Sequence, residues 1–67
     1  MTIRVNGADL ALSAATVSEL VHRLGVTPAM RHVAVAVNGD VVPRSAWDRT
    51  ALAPGDDVEV VRPFSGG

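Results

Sequence analysis

Two Asn-Gly pairs, Asn6-Gly7 and Asn38-Gly39, each lie between two short segments that contain apolar residues. Asparagine and glycine both tolerate the positive φ that a tight hairpin turn needs. Ile3 and Val5 alternate with polar residues before the first pair, and a period of two indicates a strand. The pattern therefore predicts two β-hairpins.

A helix is predicted between the two hairpins. Thr16 and Glu19 have the spacing of a capping box, in which two side chains satisfy backbone N–H groups at a helix start. Gly25 can adopt the left-handed geometry that ends a helix, and Pro28 blocks its continuation. The apolar stripe that this helix of about two turns would bury consists of Val17, Leu20, Val21 and Leu24.

The second hairpin begins with a strand from Val33 to Val37, with valines on one face and alanines on the other. Neither face is polar, so we expect both to be covered, one of them by a partner protein. Val41 and Val42 start a return strand, which Pro43 limits to a sheet edge.

The last third of the chain predicts a helical turn, a loop and a final strand. Ser45 and Asp48 resemble a weaker capping signal, which predicts one helical turn from Ser45 to Arg49. A turn follows at residues 54–57, and Val58 to Val61 form the last strand. The order β-β-α-β-β, with a short turn before the final strand, predicts an α+β fold. We interpret it as the ubiquitin-like β-grasp, with about four to five strands in a mixed sheet, one packed helix, and parallel first and last strands.

Size and composition exclude several classes of function. A chain of 67 residues is one domain and has little room for a substrate cavity, so we expect no self-contained enzyme. The absence of cysteine excludes disulfides and thiolate chemistry and suits the cytoplasm, where we expect the protein to act. A net charge of −1 argues against nucleic acid as a partner, and no apolar run is long enough to span a membrane.

Several single residues invite a functional interpretation. His22 and His32 share no metal-ligand spacing, so no metal site is predicted. Trp47 is expected to cap the core, with a partner hot spot as the alternative. Arg44 could form an ion pair with Asp48 or contact a partner protein. Asp56 and Asp57 are expected to lie in a solvated turn rather than to act as an acid–base pair.

The sequence ends in Pro63-Phe64-Ser65-Gly66-Gly67, which has no periodicity. We predict a folded body at residues 1–62 and a flexible tail at 63–67. The carboxylate of Gly67 would be ionised and a poor electrophile. Joining it to AMP would make its carbonyl carbon open to attack, and a sulfur nucleophile could then displace AMP and leave a thiocarboxylate. The alternative is a frayed end without function.

Such chemistry needs the active site of another protein, because the chain has no phosphate-binding loop. Ser65 and Gly66 are expected to thread a narrow channel there, since glycine has no side chain to obstruct it. Ordering the tail costs about 1–2 kcal/mol per residue, which docking of the body can offset. The candidate docking residues are Phe64, Ala34 and Ala36, although Phe64 could instead pack on its own sheet.

Over its whole length the chain resembles the ThiS family of sulfur carriers in thiamin thiazole biosynthesis. The residues that carry the resemblance are Asn38-Gly39, Val42-Pro43-Arg44 with Trp47, Leu52, Gly55-Asp56, Val58-Glu59-Val60 and Gly66-Gly67. The resemblance implies a β-grasp fold and adenylation of Gly67 by a ThiF-like enzyme, which uses the ATP; no cofactor is bound by the chain itself. It further implies a sulfur-donating enzyme and delivery of the sulfur to the thiazole synthase ThiG.

Three alternatives share the predicted fold. A MoaD-like carrier for molybdopterin would also use the Gly-Gly end, but it would bind a MoaE-like subunit rather than ThiG. A ubiquitin-like protein modifier would need the same activation and an amine acceptor. A plain β-grasp binding module would not need Gly66 and Gly67 at all.

Overall fold

The computed structural model describes residues 1–13 and 15–62. The described residues form five short strands, one α-helix and one 3₁₀ helix. In chain order they are β1 (Thr2–Val5), β2 (Ala8–Ala11), α1 (Val17–Arg23), β3 (Ala34–Val37), β4 (Asp40–Val42), the 3₁₀ helix (Arg44–Arg49) and β5 (Asp57–Val61).

The five strands form one mixed sheet in the order β2-β1-β5-β3-β4. β1 and β5 are parallel neighbours, whereas β1 with β2, β3 with β4 and β3 with β5 are antiparallel. This is the β-grasp topology, and the predicted parallel pairing of the first and last strands is confirmed. It places the last strand at the centre of the sheet.

The core lies between one face of the sheet and α1. Alternate residues of β1, β3 and β5 meet the apolar stripe of the helix, in which Val17 and Leu20 are fully buried and Leu24 is half-buried. Neither helix in the described part of the chain has the length and apolar character needed to cross a membrane. The buried residues are Ile3, Val5, Leu12, Val17, Leu20, Val21, Val26, Val35, Trp47, Leu52, Val58 and Val60.

Both Asn-Gly pairs form the predicted turns. Asn6 and Gly7 have φ of 50° and 84°, and Asn38 and Gly39 have φ of 52° and 88°. Positive φ at two successive residues is the geometry of the two-residue turns that match the twist of a hairpin. The local chemistry of these pairs therefore determines where each hairpin reverses.

The two asparagine side chains also bind the central strand. Asn6 Nδ2 donates to the Val60 carbonyl at 3.1 Å, and the Val60 N–H donates to Asn6 Oδ1 at 2.8 Å. At the other turn, Asn38 Oδ1 accepts the Asp57 N–H at 2.9 Å, and Asn38 Nδ2 donates to Asp56 Oδ1 at 3.0 Å. Each turn thus secures its hairpin to β5 or to the loop that enters it.

The capping of α1 follows the predicted pattern with one difference. The Glu19 N–H donates to Thr16 Oγ1 at 3.3 Å, as in a capping box. The Glu19 carboxylate accepts from the Ala15 N–H at 3.1 Å, one residue before the N-cap. Gly25 has a φ of 87° and follows the C-cap residue Leu24, so it ends the helix as expected.

The capping role predicted for Ser45 and Asp48 is wrong. The helical turn is a 3₁₀ helix that begins at Arg44, with Pro43 at its N-cap and no side-chain cap. The Ala46 N–H donates to the Pro43 carbonyl at 2.8 Å, which is the i+3 bond of this tighter helix. Trp47 is buried here and donates from Nε1 to the Val42 carbonyl at 3.0 Å. Burial of Trp47, rather than a polar cap, holds this turn.

The predicted domain boundary falls at the edge of the described region. The body assigned to residues 1–62 forms one core, whereas the tail assigned to residues 63–67 lies outside the described residues. The boundary therefore stays a prediction.

Asn6 offers a test of how much the side-chain bonds to β5 contribute. Asn6→Gly keeps the positive φ but removes both bonds, and we expect the free energy of unfolding to fall by about 1–3 kcal/mol. Asn6→Ala should lose about 1–2 kcal/mol more, because a Cβ disfavours the left-handed region. Urea unfolding followed by Trp47 fluorescence measures both values.

Asn6→Asp is the matched control, because it keeps the acceptor for the Val60 N–H and loses only the donor. Its stability should lie between those of Asn6→Gly and the unsubstituted chain. Equal stability of Asn6→Gly and the unsubstituted chain would show that these bonds contribute nothing.

Candidate partner-docking face

The sheet has an open face on the side away from α1. Val35 of β3 points into the core and is 1% exposed, whereas Ala34 is exposed and Ala36 is half-buried on the opposite face. The prediction that valines and alanines of this strand lie on different faces is confirmed. The docking role of Ala34 and Ala36 stays a prediction.

Strand register adds two large apolar side chains to these alanines. Val61 of β5 lies opposite Ala34, and Val41 of β4 lies opposite Ala36. Directly opposed residues share a sheet face, with Cβ atoms about 4.5–5.5 Å apart. Val41 is 76% exposed and Val61 is 60% exposed. We call these four residues, Ala34, Ala36, Val41 and Val61, the apolar patch.

Val41 and Val61 are not among the docking residues that the sequence predicts. One signal was available for Val41, since adjacent strand residues point to opposite faces and only one of Val41 and Val42 can face α1. For Val61 the β3–β5 register was needed, and register is a tertiary property.

Carboxylates border the apolar patch on the open face. Glu59 lies opposite Ala36, and Asp57 and Asp9 lie on either side of Arg4. Arg4 Nε and Asp9 Oδ1 are 3.9 Å apart, with both side chains mostly exposed, so this pair contributes little to stability. This part of the open face carries three negative charges and one positive charge, so its net charge is negative.

Gly67, predicted to react, and Ser65 and Gly66, predicted to thread a channel, lie outside the described residues. So does Phe64, predicted to dock on a partner, and all four predictions stay untested. The described chain ends at Arg62, immediately after β5. Arg62 Nη1 donates to the carbonyl oxygen of Leu24, the C-cap residue of α1, at 2.7 Å. The sequence carries no local signal for this contact, because 38 residues separate its partners.

A groove of about 370 Å³ lies between α1 and the 3₁₀ helix. Arg44 does not form an ion pair with Asp48, which was one of the two roles expected for it. Its guanidinium carbon lies 4.7 Å from the centroid of the Trp47 ring. Its Nη1 donates to the Pro28 carbonyl at 3.5 Å. Trp47 is 6% exposed, which confirms its core-capping role. Arg44 and Asp48 both line the groove, so their charges offset each other there.

The remaining polar candidates are Asp56, His22 and His32. The predicted turn precedes β5, but Asp57 already belongs to the strand and Asp56 is half-buried. Asp56 Oδ2 accepts the Ala53 N–H at 2.8 Å, so this carboxylate stabilises the turn. His22 and His32 are both exposed. In the part of the chain that the structure describes, no three histidine or carboxylate side chains are grouped as metal ligands would be.

Comparison with known proteins gives one consistent family. The model of the ThiS family matches residues 3–67. The crystal structure of the thiamine biosynthesis protein ThiS from Geobacter metallireducens is 37% identical, with a TM-score of 0.78 and 100% of both chains covered. An NMR solution structure of a thiamine biosynthesis protein from the same organism is 38% identical, with a TM-score of 0.77, covering 100% of this chain and 87% of the other. No curated protein matches. The predicted resemblance is confirmed, and the chain belongs to the ThiS family.

Proposed function

We propose that this protein is a sulfur carrier of thiamine biosynthesis that acts through its C-terminal Gly67. The observation that carries the proposal is the match of the ThiS family model through residue 67, which includes the Gly66-Gly67 pair. The similarity to a thiamine biosynthesis protein over the full length of both chains supports the same pathway. The protein would therefore be a co-substrate of enzymes rather than a catalyst.

The first step is activation of the Gly67 carboxylate by a ThiF-like enzyme. A carboxylate oxygen attacks the α-phosphorus of ATP, pyrophosphate leaves, and an acyl-adenylate forms. This anhydride makes the carbonyl carbon electrophilic. The ATP is bound by the enzyme, so the carrier needs no cofactor of its own.

The second step replaces AMP with sulfur. Hydrosulfide supplied by a sulfur-donating enzyme attacks the carbonyl carbon, and the C–O bond to AMP breaks. AMP and a proton leave, and a thiocarboxylate remains at Gly67. The sulfur of this thiocarboxylate is then nucleophilic. We propose that ThiG, the thiazole synthase, accepts it.

Docking of the body would bring the tail to these enzymes. The apolar patch exposes two valines beside two alanines, and burial of such surface contributes about 25 cal/mol per Å². The carboxylates of Asp57 and Glu59 border it, so a complementary partner would have an apolar spot flanked by basic side chains. Phe64 would add a contact at the tail itself. This binding energy can offset the conformational entropy lost when Ser65 and Gly66 enter a narrow channel.

Intact mass spectrometry tests the proposed modification. After incubation with ATP, a ThiF-like enzyme and a sulfur source, the chain should gain the mass that corresponds to replacing one oxygen with sulfur. Deletion of Gly67 should abolish the gain, and Gly66→Val should reduce it strongly, because a branched side chain would obstruct the channel. Ser65→Ala is the matched tail control and should be modified normally.

An unchanged mass with an enzyme that modifies another ThiS protein would contradict the proposed function. Covalent adducts with other proteins that depend on Gly67 would favour a protein modifier instead. Productive assembly with a MoaE-like subunit but not with ThiG would favour molybdopterin synthesis.

The apolar patch can be tested by the double substitution Val41→Glu, Val61→Glu. Two charges at the centre of an apolar interface should raise the KM for adenylation about ten- to hundredfold, the range of interface hot spots. The kcat should change little, because neither residue takes part in the reaction. Steady-state pyrophosphate release at varied carrier concentration measures both constants.

Met30→Glu is the control for the patch, since Met30 is also exposed but lies in the segment between α1 and β3. It should leave KM unchanged. Urea midpoints should confirm that every variant is folded under assay conditions. A KM of the double variant equal to that of the unsubstituted chain would exclude the patch as the docking site.

A further inference from the structure

Arg62 connects the end of the last strand to the end of the helix. Its Nη1 donates to the Leu24 carbonyl oxygen at 2.7 Å. This distance is within the range of hydrogen bonds with a charged donor, which are shorter and stronger than neutral ones. Arg62 directly precedes the segment of residues 63–67, which ends in Gly67.

The Leu24 carbonyl is a natural acceptor for such a side chain. The last carbonyls of a helix have no partner within the helix, and basic side chains commonly bind them. Two neighbouring carbonyls are used by the following loop, since Gly25 N–H donates to His22 and Val26 N–H donates to Val21. The Leu24 carbonyl accepts from Arg62 instead.

The direction of the strand explains how Arg62 reaches the helix. Val61 faces the open side of the sheet, and successive strand residues point to opposite faces. The Arg62 side chain therefore extends towards the side on which α1 packs. In addition, the presence of Pro63 in the sequence restricts Arg62 to extended backbone conformations. Side chain and backbone together hold the chain where residues 63–67 begin.

We propose that Arg62 is a positioning residue, which fixes the point on the folded body from which the chain continues to Gly67 and the activating enzyme. This inference rests on the proposed carrier function. With Arg62 bound to Leu24, residue 62 is already held in place before the enzyme binds. Without this contact, residue 62 must be ordered when the enzyme binds, and productive encounters with the enzyme become rarer.

The contact itself is measured by NMR on the labelled full-length chain. Arg62→Ala should shift the Leu24 carbonyl carbon and the Gly25 amide nitrogen, which share the peptide bond that accepts the hydrogen bond. Arg49→Ala removes the same charge from the exposed end of the 3₁₀ helix and should leave both resonances in place. Unchanged resonances in Arg62→Ala would overturn the inference.

The positioning role is measured by adenylation kinetics with the ThiF-like enzyme. Arg62→Ala should lower kcat/KM about three- to tenfold, the factor expected from one lost hydrogen bond, mainly through KM. Arg49→Ala should have the activity of the unsubstituted chain. In Arg62→Lys and Arg62→Gln, the loss of kcat/KM should follow the displacement of the Leu24 resonance. Unfolding midpoints identify a temperature at which all variants are folded.

Two outcomes with an active unsubstituted chain would overturn the positioning role alone. In one, the Leu24 resonance moves but kcat/KM does not. In the other, kcat/KM across the Arg62 variants follows charge and not the Leu24 resonance, which would make Arg62 a direct contact of the enzyme. Failure of the enzyme to adenylate the unsubstituted chain would instead overturn the proposed function, and the positioning role with it.

Discussion

The parallel pairing of β1 with β5 is the interaction on which the rest of the structure depends. It joins the two ends of the domain, with backbone bonds from Arg4 to Asp56 and from Asn6 to Val58. The pairing is short, and the side chain of Asn6 extends it by two further bonds to Val60, across 54 residues. Such contacts close a long loop, so their formation costs chain entropy that contacts between near neighbours do not.

The central position of β5 has two consequences for function. Its Val58 and Val60 side chains are buried under α1, so the strand is held on both edges and from one face. Its alternate residues, Glu59 and Val61, lie on the open face among the residues suited to bind a partner. The strand that leads to Gly67 is therefore both a central, well-held strand and part of the candidate docking face.

A domain of this size has little interior to spare for a reaction site. In the proposed function the reacting group is the carboxylate of Gly67, and the enzymes supply the surrounding site. The body then has two tasks, which are to dock and to present the end of the chain. We propose the apolar patch for the first task and the Arg62–Leu24 hydrogen bond for the second.

The sequence by itself determined the features that depend on near neighbours. Positive φ at Asn6 and Asn38, the Thr16 cap and the alternation of Val35 with its alanine neighbours follow from backbone preferences and spacings of a few residues. Its Gly66-Gly67 end and its scattered motif also sufficed to indicate the family. The predicted cap at Ser45 failed because burial of Trp47 outweighed a local polar signal.

Only the tertiary structure decided which distant residues meet. The register of β3 with β4 and β5 brings Val41 and Val61 beside the alanines, and the packing of α1 brings the Leu24 carbonyl within reach of Arg62. Val61 and Arg62 carry no local mark of these roles, because each role is a contact made across the fold. Such contacts arise from the packing of the whole domain, which local spacing does not encode.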